Sequence, residues 1–270
     1  MSLLLKLAGF ALCAYLAILL AAYLGQRRLM YFPDRSRTLP TEAGLHEVEE
    51  RVIDTPDGAR VVAWYGKAHP GQPTILYFHG NAGSLAARAP RIERFMAEGW
   101  GVFMLSYRGY SGGTGSPSEA ANVADAHLAY DALVASGVDP RSIVIYGESL
   151  GTGVAARIAA EKPAAGLILD APYTSIVEVA KSAYRYLPVD TFLKDRYETS
   201  AIIGKVRLPL LIMHGERDMV IPVAMGRALA RLANEPKRLV TFPNAGHMDI
   251  YVDGNPGLET VRDWISRLPH

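Results

Sequence analysis

A serine, an aspartate and a histidine that could cooperate in nucleophilic catalysis occur at separate points of the sequence. Ser149 lies in the segment Gly147-Glu148-Ser149-Leu150-Gly151, and Asp218 and His247 follow later in the chain. A serine hydroxyl is a weak nucleophile unless a histidine takes its proton and an acid orients that histidine. If the fold brings the three residues together, they predict acyl transfer through a covalent intermediate.

Ser149 stands between a predicted strand and a predicted helix. The β-branched run 143–146 is typical of a buried strand, and the small-residue run Thr152–Glu161 is typical of a helix. A G-x-S-x-G turn between such elements predicts a sharp bend that exposes the hydroxyl, with glycine where a Cβ would collide with neighbouring chain. The alternative is an ordinary glycine-rich turn with a capping serine, and the positions of the acid and the histidine argue against it.

Asp218 and His247 are placed where catalytic side chains of a parallel sheet are expected. Asp218 follows the predicted strand Leu210–Met213, and His247 follows the predicted strand Leu239–Phe242. Active sites of open parallel sheets lie at the carboxyl ends of strands. Asp170 also ends a predicted strand and is a rival for the acid, but Ala171-Pro172 follows it directly, and we favour Asp218.

An oxyanion formed at the serine would need two backbone N–H donors. Leu150, the residue after the nucleophile, supplies one. The second is expected from the loop His79-Gly80-Asn81-Ala82-Gly83, where we favour Asn81 and keep Ala82 as the alternative. His79 and His214 each end a strand before a glycine, and we interpret both as hydrogen-bonded scaffolding.

Strand patterns and helix patterns alternate through most of the chain. This alternation predicts the α/β class, with a mostly parallel central sheet covered by helices on both faces. The turn Thr55-Pro56-Asp57-Gly58 predicts an antiparallel hairpin at one edge, and Asn255-Pro256 predicts the start of the final helix. The aromatic-rich segment 171–207 is longer than one crossover helix requires and predicts a small cap over the active edge.

The composition excludes some function classes. The 270 residues are 50% hydrophobic and carry a formal net charge of +1, and no basic run with interleaved aromatic residues occurs. A nucleic-acid partner is therefore not expected. The single cysteine, Cys13, excludes an intramolecular disulfide framework and a cysteine-based zinc site, and no two histidines are spaced as a metal pair. We expect neither a metal nor a cofactor, and the sequence leaves the oligomeric state open.

Residues Leu7–Leu24 form an uncharged apolar run. We interpret residues 1–28 as a transmembrane anchor, 29–44 as a linker and 45–270 as the catalytic domain, with a cleaved signal peptide as the alternative. The arginines that follow the run outnumber the positive charges that precede it, which predicts a catalytic domain facing the cytoplasm. Since the run precedes the sheet, we expect a chain without residues 1–28 to stay active.

Four sequence motifs resemble those of the membrane-anchored abhydrolase-domain proteins of the α/β-hydrolase superfamily. They are Tyr77-Phe78-His79-Gly80-Asn81-Ala82-Gly83, Tyr107-Arg108-Gly109-Tyr110-Ser111, Gly147-Glu148-Ser149-Leu150-Gly151 and His214-Gly215-Glu216-Arg217-Asp218. Relatives there include acyl-protein thioesterases and lysophospholipid lipases. The resemblance implies a hydrolase with Ser149, Asp218 and His247 as its triad and Asn81 and Leu150 as oxyanion donors.

The sequence thus predicts a serine hydrolase that cleaves small apolar carboxylic esters or thioesters. One alternative is an aminopeptidase of the same fold, for which Glu178, Asp190, Asp195 and Glu198 in the cap segment could receive a substrate's amino terminus. Another is a membrane-tethered interaction protein that keeps the fold without turnover.

Overall fold

The computed structural model of the protein describes residues 3–252 and 254–268. Residues 1, 2, 253, 269 and 270 of the predicted domain ranges lie outside these described residues.

Strands and helices alternate along the described chain. The strands are β1 (Phe32–Pro33), β2 (Val48–Asp54), β3 (Arg60–Gly66), β4 (Thr74–Phe78), β5 (Ala82–Gly83), β6 (Gly101–Leu105), β7 (Ile143–Glu148), β8 (Gly166–Asp170), β9 (Leu210–Gly215) and β10 (Lys237–Phe242). The α-helices are α1 (Leu3–Met30), α2 (Ala89–Ala97), α3 (Glu119–Ala135), α4 (Gly151–Glu161), α5 (Ile176–Ala183), α6 (Val189–Phe192), α7 (Thr199–Ile202), α8 (Val223–Leu232) and α9 (Gly257–Ile265).

The central sheet has eight strands in the order β10-β9-β8-β7-β4-β6-β3-β2. Strand β3 is antiparallel to both of its neighbours, and every other pair is parallel. The predicted hairpin is β2–β3, with Asp54 opposite Arg60 and Gly58 at φ 82° in the turn. The predicted α/β class and mostly parallel sheet are confirmed.

The parallel strands are buried on both faces because helices cover both. Leu76 and Phe78 of β4 pack in one core cluster with residues of α3, α4 and α8. Ile75 and Tyr77 pack in the other cluster with residues of α2 and α9. Successive side chains of a strand point to opposite faces, so an uninterrupted apolar run such as β4 needs two covered faces.

The last helix begins later than the sequence predicts. Asn255 was expected as the N-cap with proline at the first helical position, but α9 begins at Gly257 and Pro256 is its N-cap. Asn255 instead uses its side-chain amide to donate to the Asp249 carbonyl at 3.0 Å. A Cβ on Gly257 would lie 2.3 Å from the Ile250 oxygen, so the helix start packs against the preceding loop.

Residues between β8 and β9 form a small helical unit, here called the cap, that contains α5, α6 and α7. Helix α1 lies against it. The Gln26 side chain accepts from the Lys194 N–H at 2.7 Å and donates to the Phe192 carbonyl at 3.2 Å. Strand β1, in the predicted linker, pairs with β5 in the predicted oxyanion loop. The division into anchor, linker and catalytic domain stays a prediction, and the contacts show that the three segments touch.

We expect Gly151→Ala to unfold the protein at a lower temperature. A Cβ at this position would lie 2.0 Å from the Phe78 carbonyl oxygen, a backbone atom that cannot turn aside. Overpacking of this kind costs about 3 kcal/mol at its upper end, which corresponds to a fall in Tm of roughly 6–12 °C. Differential scanning calorimetry measures it.

Gly204→Ala is the matched control, because its Cβ would meet only the Leu232 oxygen at 3.7 Å. Equal melting temperatures for the two variants would contradict the crowding described at Gly151.

Candidate active site

The turn from β7 into α4 holds Ser149 in a left-handed backbone conformation with φ 50°. This conformation strains a residue with a side chain and persists only where the surroundings enforce it. A Cβ on Gly147 would lie 2.5 Å from the Gly151 oxygen, and one on Gly151 would meet β4, so only glycine fits on either side of the turn. The Ser149 N–H donates to the Asp170 carbonyl at 2.8 Å, which ties the turn to β8.

The structure brings the three predicted residues together at the carboxyl ends of their strands. His247 Nε2 lies 2.9 Å from Ser149 Oγ, and His247 Nδ1 lies 2.7 Å from Asp218 Oδ2. With the proton on Nδ1, the imidazole donates to the carboxylate and Nε2 is free to accept from the serine hydroxyl. The geometry is that of a nucleophile, a base and an orienting acid.

Asp218 is held as an anion by its surroundings. Its Oδ1 accepts from the backbone N–H groups of Val220 and Ile221, each at 2.8 Å. Burial alone would raise the pKa of this carboxyl, but the hydrogen bonds from His214, His247 and the Ile221 N–H outweigh it, so the pKa lies well below its ordinary value. His214, fully buried, lies 3.4 Å from Asp218 Oδ2 and contacts the Ile221 carbonyl at 2.8 Å, so it supports the acid's loop.

His247 is more basic than an ordinary histidine. Burial lowers its pKa, but the hydrogen bond with Asp218 and the negative charges of Asp218, Asp170 and Glu148 outweigh burial and raise the pKa above 6.5. A base with a raised pKa accepts the serine proton more readily, at the expense of being protonated already in mildly acidic solution.

Asp170, the rival acid, is bonded to other side chains than the histidine. Its Oδ2 accepts from the Tyr146 hydroxyl at 2.8 Å and lies 3.7 Å from Arg91 Nη1. Burial raises its pKa to about 6, against the opposing charge of Arg91. Within the described residues, Asp170 has no hydrogen bond to His247. The geometry favours Asp218 as the acid.

Asn81 and Leu150, the predicted oxyanion donors, both line the cavity that contains Ser149. Neither backbone N–H donates to a protein acceptor in the described part of the chain. The Asn81 side chain donates to the Met30 carbonyl at 2.9 Å, so the loop is fixed by the end of α1. Two unpaired N–H groups in the cavity that contains the hydroxyl fit what an oxyanion requires, and this role stays a prediction.

Glu148 is a residue of the site whose role the sequence does not reveal. Its buried carboxylate accepts from the Tyr77 hydroxyl, from the Gly80 N–H at 3.3 Å and from Arg88 Nη2 at 3.3 Å. Burial raises its pKa, but the charges of Arg88 and Arg91 lower it further, to about 2. An ionised Glu148 therefore fastens the residue before the nucleophile to the oxyanion loop.

The cavity around Ser149, here called the central cavity, has a volume of about 450 Å³ and mostly apolar walls. The cap supplies one wall, including Tyr184 and Phe192, whereas the cap residues Tyr173 and Tyr197 are buried outside it. The other wall was not expected, because it comes from α1: Leu19, Ala22, Tyr23, Gln26, Leu29 and Met30. Helix α1 is apolar on every side, so the periodicity of its sequence does not indicate which face packs inward. The polar residue Gln26, just before the arginines, was the one signal in the sequence for an inner face.

A serine, a histidine and an aspartate on loops of an eight-stranded, mostly parallel sheet define the α/β-fold hydrolase class. Residues 69–189 match the family model described as "Serine aminopeptidase, S33". Protein Rv2307c of Mycobacterium tuberculosis is 37% identical over 245 residues, covering 89% of this chain and 87% of that protein. The lysophosphatidylserine lipase ABHD12 of Danio rerio is 30% identical, covering 90% of this chain and 75% of that protein.

Among solved structures, the Pyrococcus furiosus esterase Pf2001 superposes with a TM-score of 0.72 at 21% identity, covering 88% of this chain and 97% of that one. At that identity the likeness concerns the fold alone. The chain belongs to the α/β-hydrolase superfamily, as the sequence motifs predict.

We expect Asp218→Asn to lower kcat about 10²- to 10⁴-fold at neutral pH, because an amide can donate where His247 Nδ1–H needs an acceptor. Asp170→Asn should lower kcat far less, since its carboxylate serves Tyr146 and Arg91. The measurement is kcat on one ester for both variants, with thermal melts to exclude unfolding. A folded Asp170→Asn variant that is the more impaired would place the acid after β8.

The pH profile should show His247 acting as a base. Since the imidazole must be neutral, kcat/KM should fall with decreasing pH, and the midpoint should lie above 6.5 because Asp218 raises the pKa. Asp218→Asn removes that cause, so its midpoint should move to lower pH. A midpoint that is the same in both enzymes would show that another group controls the profile.

Proposed function

We propose that the protein is a serine hydrolase that cleaves carboxylic esters of apolar acyl groups through an acyl-enzyme, with thioesters as a second substrate class. The observation that carries the proposal is the hydrogen-bonded series Ser149–His247–Asp218 opening into an apolar cavity. Hydrolase membership follows from the family; the bond and the acyl group are the proposal.

In the proposed reaction, Ser149 Oγ attacks the carbonyl carbon while His247 Nε2 takes the hydroxyl proton. The N–H groups of Leu150 and Asn81 stabilise the oxyanion, and Asp218 stabilises the imidazolium. The oxyanion then collapses, the bond to the leaving oxygen or sulfur breaks, and His247 returns the proton to that atom. Water, deprotonated by the same histidine, hydrolyses the acyl-enzyme. The scheme requires no cofactor.

The lining of the central cavity supports an apolar acyl group. Apart from Ser149, His247 and Asn81, the polar side chains among the described lining residues are those of Gln26, Tyr23 and Tyr184. The Gln26 amide is already bonded to the cap backbone. Such walls bind by burial of apolar surface, worth about 0.8 kcal/mol per CH₂. The names of ABHD12, a lipase, and of Pf2001, an esterase, agree with an ester bond in those proteins.

The matching family model is described as a serine aminopeptidase, so a peptidase is the second candidate. An aminopeptidase would need a carboxylate that receives the substrate's ammonium group. None of the described lining residues is acidic. All four cap carboxylates considered for this role are paired with cations: Glu178 and Asp190 with Lys181, Asp195 with Arg27, and Glu198 with Arg196. The cavity's chemistry therefore favours an ester.

We place the protein at a membrane through α1, with its catalytic domain on the cytoplasmic side. By length and composition, α1 is long and apolar enough to cross a bilayer. A cleaved signal peptide fits less well, because cleavage near Ala21-Ala22 would remove Leu19, which lines the central cavity, and Tyr15, whose hydroxyl donates to the Tyr186 carbonyl at 2.9 Å.

An activity-based probe and two substrates test the proposal together. We expect a fluorophosphonate to label the wild-type protein and not Ser149→Ala, because Ser149 is the serine of the described residues whose hydroxyl is hydrogen-bonded to a histidine. The wild type should hydrolyse p-nitrophenyl butyrate with a higher kcat/KM than alanyl p-nitroanilide. Labelling that survives in Ser149→Ala would reject the nucleophile, a faster anilide would establish the peptidase, and a stable, unlabelled and inactive wild type would support an interaction protein.

A further inference from the structure

The central cavity extends away from Ser149 along one face of α1. Its lining positions on the helix, Leu19, Ala22, Tyr23, Gln26 and Met30, recur at intervals of three or four residues, so they share a face. Met30 lies at the end of the cavity near the oxyanion loop, where its carbonyl accepts from Asn81. With the rise of an α-helix, the eleven residues back to Leu19 span about 16 Å. That is the length of an extended medium-to-long acyl chain.

The facing wall of this extension is apolar as well. It is built from α5 and α6 of the cap, including Val179, Ala183 and Phe192. In the extension, Gln26 has its amide oxygen and nitrogen occupied by the cap backbone. A charged or strongly polar ligand would lose its hydrogen bonds to water there without gaining new ones. A hydrocarbon chain makes no hydrogen bonds to water, so it would lose none by entering.

The outer end of the extension lies on the apolar run itself. Leu19, Ala22 and Tyr23 belong to the uncharged segment Leu7–Leu24. The neighbouring Leu20 and Leu24 point outward and are exposed. A bilayer around this run would reach the outer end of the cavity, so a chain could pass from hydrocarbon to Ser149 without crossing water.

A polar cluster, buried at Asp195 and Tyr31 and open to solvent at Arg27, holds α1 against the cap. Arg27 Nε and Nη2 donate to the two oxygens of Asp195 at 2.9 and 3.0 Å. The Tyr31 hydroxyl lies 3.1 Å from Asp195 Oδ2 and 3.0 Å from the Tyr197 hydroxyl, which accepts from Asn122 of α3 at 3.0 Å. Paired and bidentate contacts of this kind fix geometry. These contacts therefore hold the α1 wall in a fixed position against the catalytic domain.

From these observations we propose that the space between α1 and α5–α6, which we call the acyl channel, binds the long unbranched chain of a membrane amphiphile with its carbonyl at Ser149. The apolar helix thus acts as a substrate-selecting wall, with the chain entering from the bilayer. This inference rests on the proposed ester hydrolysis and adds the chain length and the side of entry. It implies that residues 1–28 contribute to activity, whereas the sequence-based expectation of an active truncated chain stays a prediction.

The first test compares chain lengths in the full-length protein in phosphatidylcholine nanodiscs. Wild-type kcat/KM should be at least about tenfold higher for p-nitrophenyl laurate than for the butyrate, since each further methylene buries apolar surface. Ala22→Phe, which fills the channel, should remove most of that advantage, because the laurate chain is long enough to reach position 22.

Ala21→Phe is the matched control, because it makes the same change one residue away at an exposed position outside the channel. Both substrates should be unaffected. A laurate advantage that is absent in the wild type, or that Ala22→Phe and Ala21→Phe leave equally intact, would overturn the inference.

The second test does not need turnover. In Ser149→Ala, a palmitate analogue with a diazirine near its methyl end should crosslink on illumination to peptides of α1 and α5–α6, and Ala22→Phe in that background should reduce the yield severalfold. Crosslinks confined to other surfaces would overturn the acyl channel. If the wild type shows neither labelling nor ester turnover while these crosslinks form, the proposed chemistry fails and the channel stands.

Discussion

The site depends on one steric constraint, the close approach of the start of α4 to the end of β4. A Cβ on Gly151 would lie 2.0 Å from the Phe78 oxygen, so only glycine fits at the first position of the helix. That contact forces the chain to turn through Ser149 at φ 50° and sets Leu150 beside the loop that carries Asn81. The buried Glu148 carboxylate, shared by Arg88 and the Gly80 N–H, locks the same two segments together. The proposed nucleophile and the predicted oxyanion donors are thus positioned by the same packing of α4 against β4.

Much of the fold and of the site was predictable, because it depends on short local patterns in the sequence. Each parallel strand is a short apolar run followed by a loop, and such loops gather at one edge, which is enough to bring Ser149, Asp218 and His247 together. The start of α9 was misplaced because the Asn255 side chain serves the loop at Asp249, a contact across six residues that an N-cap pattern does not reveal. The sequence did not predict the role of Glu148 or the α1 wall, because their partners, Arg88 and the cap, are remote in sequence.

The apolar helix is therefore part of the cavity wall as well as a candidate membrane anchor. One end of α1 reaches the oxyanion loop through the Met30 carbonyl, and its inner face continues the wall of the cavity. The Arg27–Asp195 pair, with Tyr31 and Tyr197, joins the helix to the cap, and the Asp195 carboxylate in it is buried. An enzyme built in this way would bind its substrate at the membrane, where apolar amphiphiles reside. Its hydrolytic residues would remain on the sheet that all members of the superfamily share.

The central claim, an acyl-enzyme on Ser149, can be tested directly by trapping the intermediate. The full-length protein is mixed with p-nitrophenyl laurate for milliseconds to seconds, quenched in acid and digested, and the peptides are examined by mass spectrometry. The account predicts a lauroyl adduct on Ser149 that accumulates with the initial release of nitrophenol and is absent from Ser149→Ala. Sustained turnover with the acyl group on another residue would contradict it.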